Sequence, residues 1–254
     1  MSNIITRRAL VSGAGMGAAA LLTGCDRLSE SPDFLKMLSL AEKGNFAIQR
    51  SLQSRMGLAR EFSPEDMSPI FRANGSRMPV GDSYAGHIAS KFADWRLVID
   101  GLVARPQSIS MDVVRAMPKR TQITRHDCVE GWSAIGKWTG VPLKLLLDAA
   151  GLRPAARYLV FHCADQMSNG SMYYESIDLV DAMHPQTILA WALNDTVLPV
   201  ANGAPLRLRV ERQLGYKQAK YIQRIEAVAS LDGVFGGKGG FWEDGAGYEW
   251  YAGI

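Results

Sequence analysis

Two groups of residues in this chain have the types and spacing to do chemistry. The first is Arg125-His126-Asp127-Cys128-Val129-Glu130-Gly131-Trp132, followed by Trp138-Thr139-Gly140-Val141-Pro142-Leu143. A single thiol sits in a polar, glycine-containing segment, with Arg120, Arg125 and His126 upstream and large aromatics downstream. Nearby positive charge lowers a thiol's pKa and favours the thiolate, the form that binds metals. Cys128 has no Cys-x-x-Cys partner, and His87, His126, His162 and His184 are scattered without ligand spacing, so a closed zinc site is excluded. A lone thiolate suits a metal whose other ligands come from an organic cofactor. Residue chemistry alone leaves three competitors open. Cys128 is a buried small apolar residue, or a disulfide partner of Cys163, or a nucleophile with His126 or His162 as base.

The second group is an anion site. In Pro205-Leu206-Arg207-Leu208-Arg209-Val210-Glu211, alternation puts Arg207, Arg209 and Glu211 on one face of a strand. Arg212, Lys217 and Lys220 follow, and Asn202-Gly203-Ala204-Pro205 precedes as a turn whose amides add donors. Arginine forks and lysine point charges beside glycine-containing turns suit a phosphate. The competing reading is a solvated basic face on an exposed strand.

The elements that must position these groups follow from the rest of the chain. Of 254 residues, 47% are hydrophobic, enough for one good core. The net charge of +3 carries no Lys/Arg blocks interleaved with aromatics, so no nucleic acid is expected as a partner. Three cysteines do not make a disulfide scaffold. Thr6-Arg7-Arg8-Ala9-Leu10, a short Ala/Gly-rich apolar run and Leu22-Thr23-Gly24-Cys25 read as a signal peptide over 1–24. The paired arginines resemble a twin-arginine signal, although Ala9 replaces its usual Phe. Leu-Thr-Gly-Cys resembles a lipobox, which makes Cys25 the lipidated first mature residue and the protein periplasmic and membrane-anchored. The twin-arginine route carries folded proteins, often around a cofactor.

Residues 25–60 read as a helical tether, with helices over 32–42 and 45–58, and 61–254 as one mixed α+β domain. Within it Ser63-Pro64-Glu65-Asp66 starts a helix. Strands are expected over 95–101, 121–125, 157–163, 187–193, 206–211 and 220–229. Ser110 caps a helix over 111–117, Pro142 to Gly151 is the clearest helix, and 176–183 is a short one. The aromatic, glycine-rich tail 236–254 folds back over the domain.

Taken together, Arg125–Trp132, Trp138–Leu143, His184-Pro-Gln-Thr187, Asn202-Gly-Ala-Pro-Leu-Arg207 and Leu214-Gly-Tyr-Lys-Gln-Ala-Lys220 resemble the sulfite oxidase superfamily of molybdopterin-dependent oxidoreductases. Within it they are similar to the catalytic subunits of periplasmic methionine sulfoxide reductases. The resemblance covers about residues 70 to 254 and implies the sulfite-oxidase-type fold. It implies molybdenum-molybdopterin as cofactor, with Cys128 as the protein thiolate on the metal. It places Cys163 in the cofactor pocket and assigns Asn202, Arg207, Gln218 and Lys220 to pterin and phosphate binding, with Asn74 as a further match whose flanks differ. The chain ends soon after this domain, without the immunoglobulin-like dimerisation domain or a haem motif. A monomer is therefore expected, with electrons from a separate partner such as a membrane haem protein.

The expected reaction is oxygen-atom transfer, reducing a small-molecule S-oxide or N-oxide. Tyr173 and Tyr174 are candidates for the substrate mouth, with Tyr174 in a catalytic role, and Trp132 is expected in the core. The alternatives are sulfite-type oxidation, a cofactor-free membrane-tethered binding module, and a thiol enzyme using Cys128 with His126.

Overall fold

A computed structural model describes residues 30–52, 54–167 and 169–254. The signal segment and Cys25 lie outside the described residues. The chain divides at Ser54/Arg55 into two compact units. Among the described residues the first holds one helix, α1 (Pro32–Leu52), where two shorter helices were expected. Its start at Pro32 agrees with the Ser31-Pro32 signal, and Gly44 does not interrupt it. No described helix is long and apolar enough to cross a membrane.

The second unit begins with a strap. Glu61 forms an isolated bridge to Thr124, Ala59 N donates to Gln186 Oε1 at 2.7 Å, and His184 Nε2 lies 3.0 Å from Gly57 O. Ser63–Asp66 makes the expected capping box, but it stops after one 3-10 turn.

Two five-stranded sheets follow. One has the order β2 (Gln107–Ser110), β1 (Arg96–Gly101), β10 (Ile222–Val228), β5 (Tyr158–Gln166) and β6 (Met172–Asp178). Its pairs are antiparallel except β1 with β10. The other runs β3 (Arg120–Asp127), β4 (Ser133–Pro142), β7 (Ile188–Leu193) and β8 (Thr196–Val197), with β9 (Arg207–Arg209) also on β7. Short helices join them: α2 (Asp82–Ala89), α3 (Met111–Ala116), α4 (Leu143–Ala150), α5 (Leu179–Ala182) and α6 (Phe241–Ala246). This is the mixed α+β architecture expected.

Local chemistry explains several boundaries. Ser110 Oγ accepts from Val113 N and starts α3. Gly151, at φ +70, ends α4 in the left-handed conformation, while Pro142 closes β4 and caps α4 rather than sitting inside it. The expected helix over 176–183 is corrected. Ser176 to Asp178 finish β6, paired to β5 at Val160, Leu159 and Tyr158, and only Leu179–Ala182 is helical. β4 was not anticipated. Its alternating burial, with Ala134, Gly136, Trp138 and Gly140 inward, is the period-2 signal that was present but unused.

The main core joins Leu97, Ile99, Phe161 and Ile225 of the first sheet to Val141, Leu189 and Leu208 of the second, with Leu143, Leu146 and Leu147 of α4. A smaller cluster holds Trp138, Ile188, Ala190, Leu193 and Leu198, with Phe71 edge-on to Trp138 at 5.0 Å. Leu146 is fully buried, so Leu146→Ala removes its transfer free energy and leaves a cavity. Urea unfolding is expected to show a loss of about 3 kcal/mol.

Candidate active site

Cys128 opens a five-residue loop between β3 and β4. Cys128 N donates to Trp132 O at 2.9 Å and Gly131 N to Cys128 O at 3.0 Å. This turn needs a left-handed residue, and Gly131 supplies it at φ +85. The thiol is 9% exposed. Burial pushes its pKa up, and the positive charge of Arg207 does not cancel the effect.

The upstream basic run was expected to lower this pKa, and the structure corrects that. Arg120 is paired with Glu61, and Arg125 Nε with Asp127 Oδ1 at 2.9 Å. His126 is buried and held neutral by desolvation and by Arg207 and Arg209. Burial therefore favours the neutral thiol, which a coordinated metal would deprotonate outright.

The disulfide and nucleophile roles for this thiol find no support, whereas its burial is what the small apolar reading expects. Cys128 and Cys163 are both free, which removes the disulfide. His126 Nδ1 lies 3.0 Å from Arg209 Nη1 and 3.3 Å from Gln218 Oε1. His162 Nε2 lies 2.9 Å from Glu226 Oε2 and 3.3 Å from Arg224 Nη1. Neither histidine is placed as a base for Cys128.

Cys128 lines a cleft with about 710 Å³ of empty space, its open mouth included. Its polar side holds Asn74, Ser76, Glu130, Asp165, Gln218 and Lys220. Met167, Tyr173, Tyr216, Trp242 and Tyr248 line it as well. Lys220 Nζ donates to Asn74 O at 2.6 Å, Ala201 O at 3.1 Å and Ser76 O, gripping the segment that carries Asn74. Arg207 Nη2 reaches Asn74 Oδ1 at 3.1 Å, and Nη1 reaches Asn202 O at 3.2 Å. Asn74, whose flanks departed from the expected motif, is therefore brought to the same place as the downstream basic residues.

The basic strand is not a solvated face. Arg207 and Arg209 are both 0% exposed. They lie over the indole of Trp138, 5.3 and 4.4 Å from its centroid. Arg209 is neutralised by Glu211, Nη2 to Oε2 at 2.6 Å, and Gln122 Nε2 donates to the same carboxylate at 2.8 Å. Among the described residues no carboxylate forms an ion pair with Arg207, and burial with Arg209 alongside presses its pKa to about 9. Its Nε and the Nδ2 of Asn202 are buried donors without a protein acceptor. Burial likewise lowers Lys220 to about 7. Unfilled donors and compressed cations are what an anionic ligand relieves.

Not every expected site residue meets the cleft. Cys163 is 2% exposed behind the wall, and it is not among the cleft-lining residues. Tyr174 also lies off the cleft: its hydroxyl donates to Asp244 and its ring stacks on Phe235 at 3.8 Å. Of the two adjacent tyrosines on β6, both buried, Tyr173 lines the cleft, and its hydroxyl donates to Tyr216 O at 2.8 Å. Trp132, expected in the core, is half-buried at the loop, and its Nε1 donates to Glu130 Oε2 at 3.1 Å.

Asp165, Met167, Trp242 and Tyr248 were missed. Asp165 had a usable signal, being two residues after Cys163 on one strand. The tail residues had only their aromatic density.

A model of the oxidoreductase molybdopterin binding domain matches residues 85–232. The chain is 36% identical over 244 residues to a putative protein-methionine-sulfoxide reductase subunit, YedZ1, of Azospira oryzae, covering 94% of this chain and 84% of that one. It is 38% identical over 144 residues to the protein-methionine-sulfoxide reductase catalytic subunit MsrP of Ralstonia nicotianae, 53% of this chain and 44% of that one. MsrP of Xanthomonas campestris is 36% identical over 151 residues, with 56% and 47% covered. The chain thus spans under half the length of these two MsrP relatives. Sulfane dehydrogenase SoxCD of Paracoccus pantotrophus aligns with TM-score 0.49 at 24% identity, over 54% of this chain and 39% of that one.

Two outcomes follow from the buried charges. Arg209→Met strands the Glu211 carboxylate in the core and is expected to cost about 3–5 kcal/mol, whereas Arg209→Met with Glu211→Leu costs less, read by a denaturant double-mutant cycle. Lys220 binds fewer protons folded than unfolded between about pH 7 and the ordinary lysine range. Stability of the cofactor-free protein from this group therefore rises with pH through that window and is flat below it. Lys220→Gln is expected to flatten that slope in thermal melts across the window.

Proposed function

Because this chain belongs to the oxidoreductase molybdopterin binding domain family, we propose that it is an exported molybdenum–molybdopterin enzyme that reduces an S-oxide or N-oxide. The observation that carries this reading is the convergence of Cys128, Asn74, Gln218 and Lys220 on one open cleft, with the unfilled donors of Arg207 and Asn202 behind it. Those residues fit the group. A buried thiol awaits a cation, and buried cations await an anion.

When bound, the cofactor supplies two-electron oxygen-atom chemistry at the metal. The chain's own residues do the rest. Cys128 holds the metal at the head of a hairpin loop fixed by two backbone hydrogen bonds. Lys220 and Arg207 bring positive charge to the pterin and its phosphate, and Gln218 and Asn202 add amide donors. Met167, Tyr173, Tyr216, Trp242 and Tyr248 seat the organic part of the substrate away from water, and thioether-type sulfur packs well on aromatic rings.

Charge favours a neutral substrate. Among the described lining residues Lys220, lowered to about 7, is the one cation, beside the exposed carboxylate of Glu130 and an Asp165 carboxyl that burial pushes towards its uncharged form, so the lining carries no net positive charge. An S-oxide enters such a cleft more readily than the sulfite anion, so reduction is favoured over sulfite-type oxidation. Names containing methionine sulfoxide reductase among the relatives agree with this substrate class.

Electrons come from a separate partner, consistent with the word subunit in those names, and a membrane haem protein suits the role. A lipid on Cys25 would hold a periplasmic, monomeric enzyme near that partner and raise its effective concentration.

Protein from a molybdate-supplied host is expected to carry stoichiometric molybdenum and to reduce methionine sulfoxide with a dye donor. Cys128 is expected to resist alkylation in that protein and to react once the metal is removed. Folded protein without molybdenum, or full molybdenum in Cys128→Ser, overturns the reading.

A further inference from the structure

Reductive removal of oxygen as water consumes two protons, so the cleft needs a proton donor. The groups lining it differ sharply in their capacity to act. Lys220 has its ammonium engaged by three carbonyls. Tyr173 and Tyr216 donate their hydroxyls to Tyr216 O and Glu249 O, and burial raises both phenols. Glu130 is exposed to solvent and accepts from Trp132 Nε1.

Asp165 is different. It lines the cleft, yet it is 3% exposed. Ser76 Oγ donates to Oδ2 at 2.5 Å, while Oδ1 is buried without a partner. Bare carboxylate oxygen in a buried site is costly, and a proton on Oδ1 removes the cost.

We propose that Asp165 is the acid that protonates the oxygen leaving the substrate. The proposal rests on the reductase reading above. For a sulfoxide R2S=O, the S–O bond breaks as two electrons arrive from the external donor, as two equivalents of a one-electron carrier such as a reduced viologen. One proton passes from Asp165 Oδ1 to that oxygen and a second comes from solvent, giving R2S and H2O. Solvent at the open mouth then reprotonates Asp165.

Its surroundings keep the proton in place. Desolvation raises the Asp165 carboxyl, opposed by the Ser76 hydrogen bond and by Lys220. The other titratable groups facing it are Tyr84 of α2, Cys163 of β5, Tyr173 of β6 and Tyr221 ahead of β10. Burial raises all four, so they stay neutral. Among the described residues Lys220, lowered to about 7, is the cation that acts on it.

The test uses molybdenum-loaded full-length protein with methionine sulfoxide and a reduced viologen. Asp165→Asn is expected to keep its molybdenum and pterin and to lose about 100-fold in kcat. Wild-type kcat falls as pH rises through the carboxyl's pKa, and that limb disappears in the variant. Asp165→Glu is expected to recover part of the rate.

Carboxyl 13C NMR of aspartate-labelled protein, with Asp165→Asn for assignment, is expected to show one carboxyl titrating above the usual range, distinct from Lys220. Wild-type kcat in Asp165→Asn overturns the proposal, as does an Asp165 carboxyl already ionised at pH 5. Loss of pterin with unchanged rate per molybdenum also overturns it and makes Asp165 a cofactor anchor. A wild-type enzyme that holds molybdenum but turns over no sulfoxide removes the reductase reading itself, and the acid's role with it.

Discussion

Two guanidinium groups buried side by side are the constraint around which this domain is built. Arg207 and Arg209 leave the same face of β9 and lie over one indole, so their charges press on each other in a dry interior. Arg209 is compensated locally by Glu211, which in turn is held by Gln122. Arg207 hydrogen-bonds to the neutral oxygens of Asn74 and Asn202, and the Glu211 charge reaches it without forming a pair. A fold that keeps such an arrangement holds unspent positive potential directly behind its cleft. That potential is costly to an empty protein and favourable to one holding an anion.

The arrangement also decides which polar residues become structural. His126 looked like a base in the chain order, yet Arg209 and Gln218 claim its Nδ1. Its Nε2 faces the backbone of Gly215, where an added Cβ would fall 2.5 Å from the ring. The imidazole is a wedge between β3 and the 215–218 turn, not a reagent. Gln218, by contrast, both receives Arg209 and lines the cleft, so it relays the buried charge network to the site.

Much of this was legible in the residues. The strands that carry strong alternation, the cap at Ser110, the stop at Gly151 and the loop around Cys128 all follow from local signals. Ser176 to Asp178 were misread because β6 buries both of its faces, leaving no period-2 pattern to set against a helical one. The acidity of Cys128 was misjudged because neighbours in sequence are not neighbours in charge. Arg120 and Arg125 spend theirs on Glu61 and Asp127, and the cation that reaches the thiol is Arg207, 79 positions downstream (207 − 128). Tyr174 was preferred over Tyr173 without the strand register that separates them. Asp165 offered only its place two residues after Cys163 on β5, while its burial and unpartnered oxygen were visible in the structure alone.

The grip of Lys220 and Arg207 on Asn74 spans 146 and 133 positions of sequence. Contacts of such separation cost more loop-closure entropy than local ones. The cleft is complete only when the segment before α2 meets the turn after β9. A chain interrupted before that meeting has its thiol loop and its cationic strand but no vessel between them. Readiness to receive a cofactor therefore depends on the long-range closure of this domain and not on the thiol loop alone.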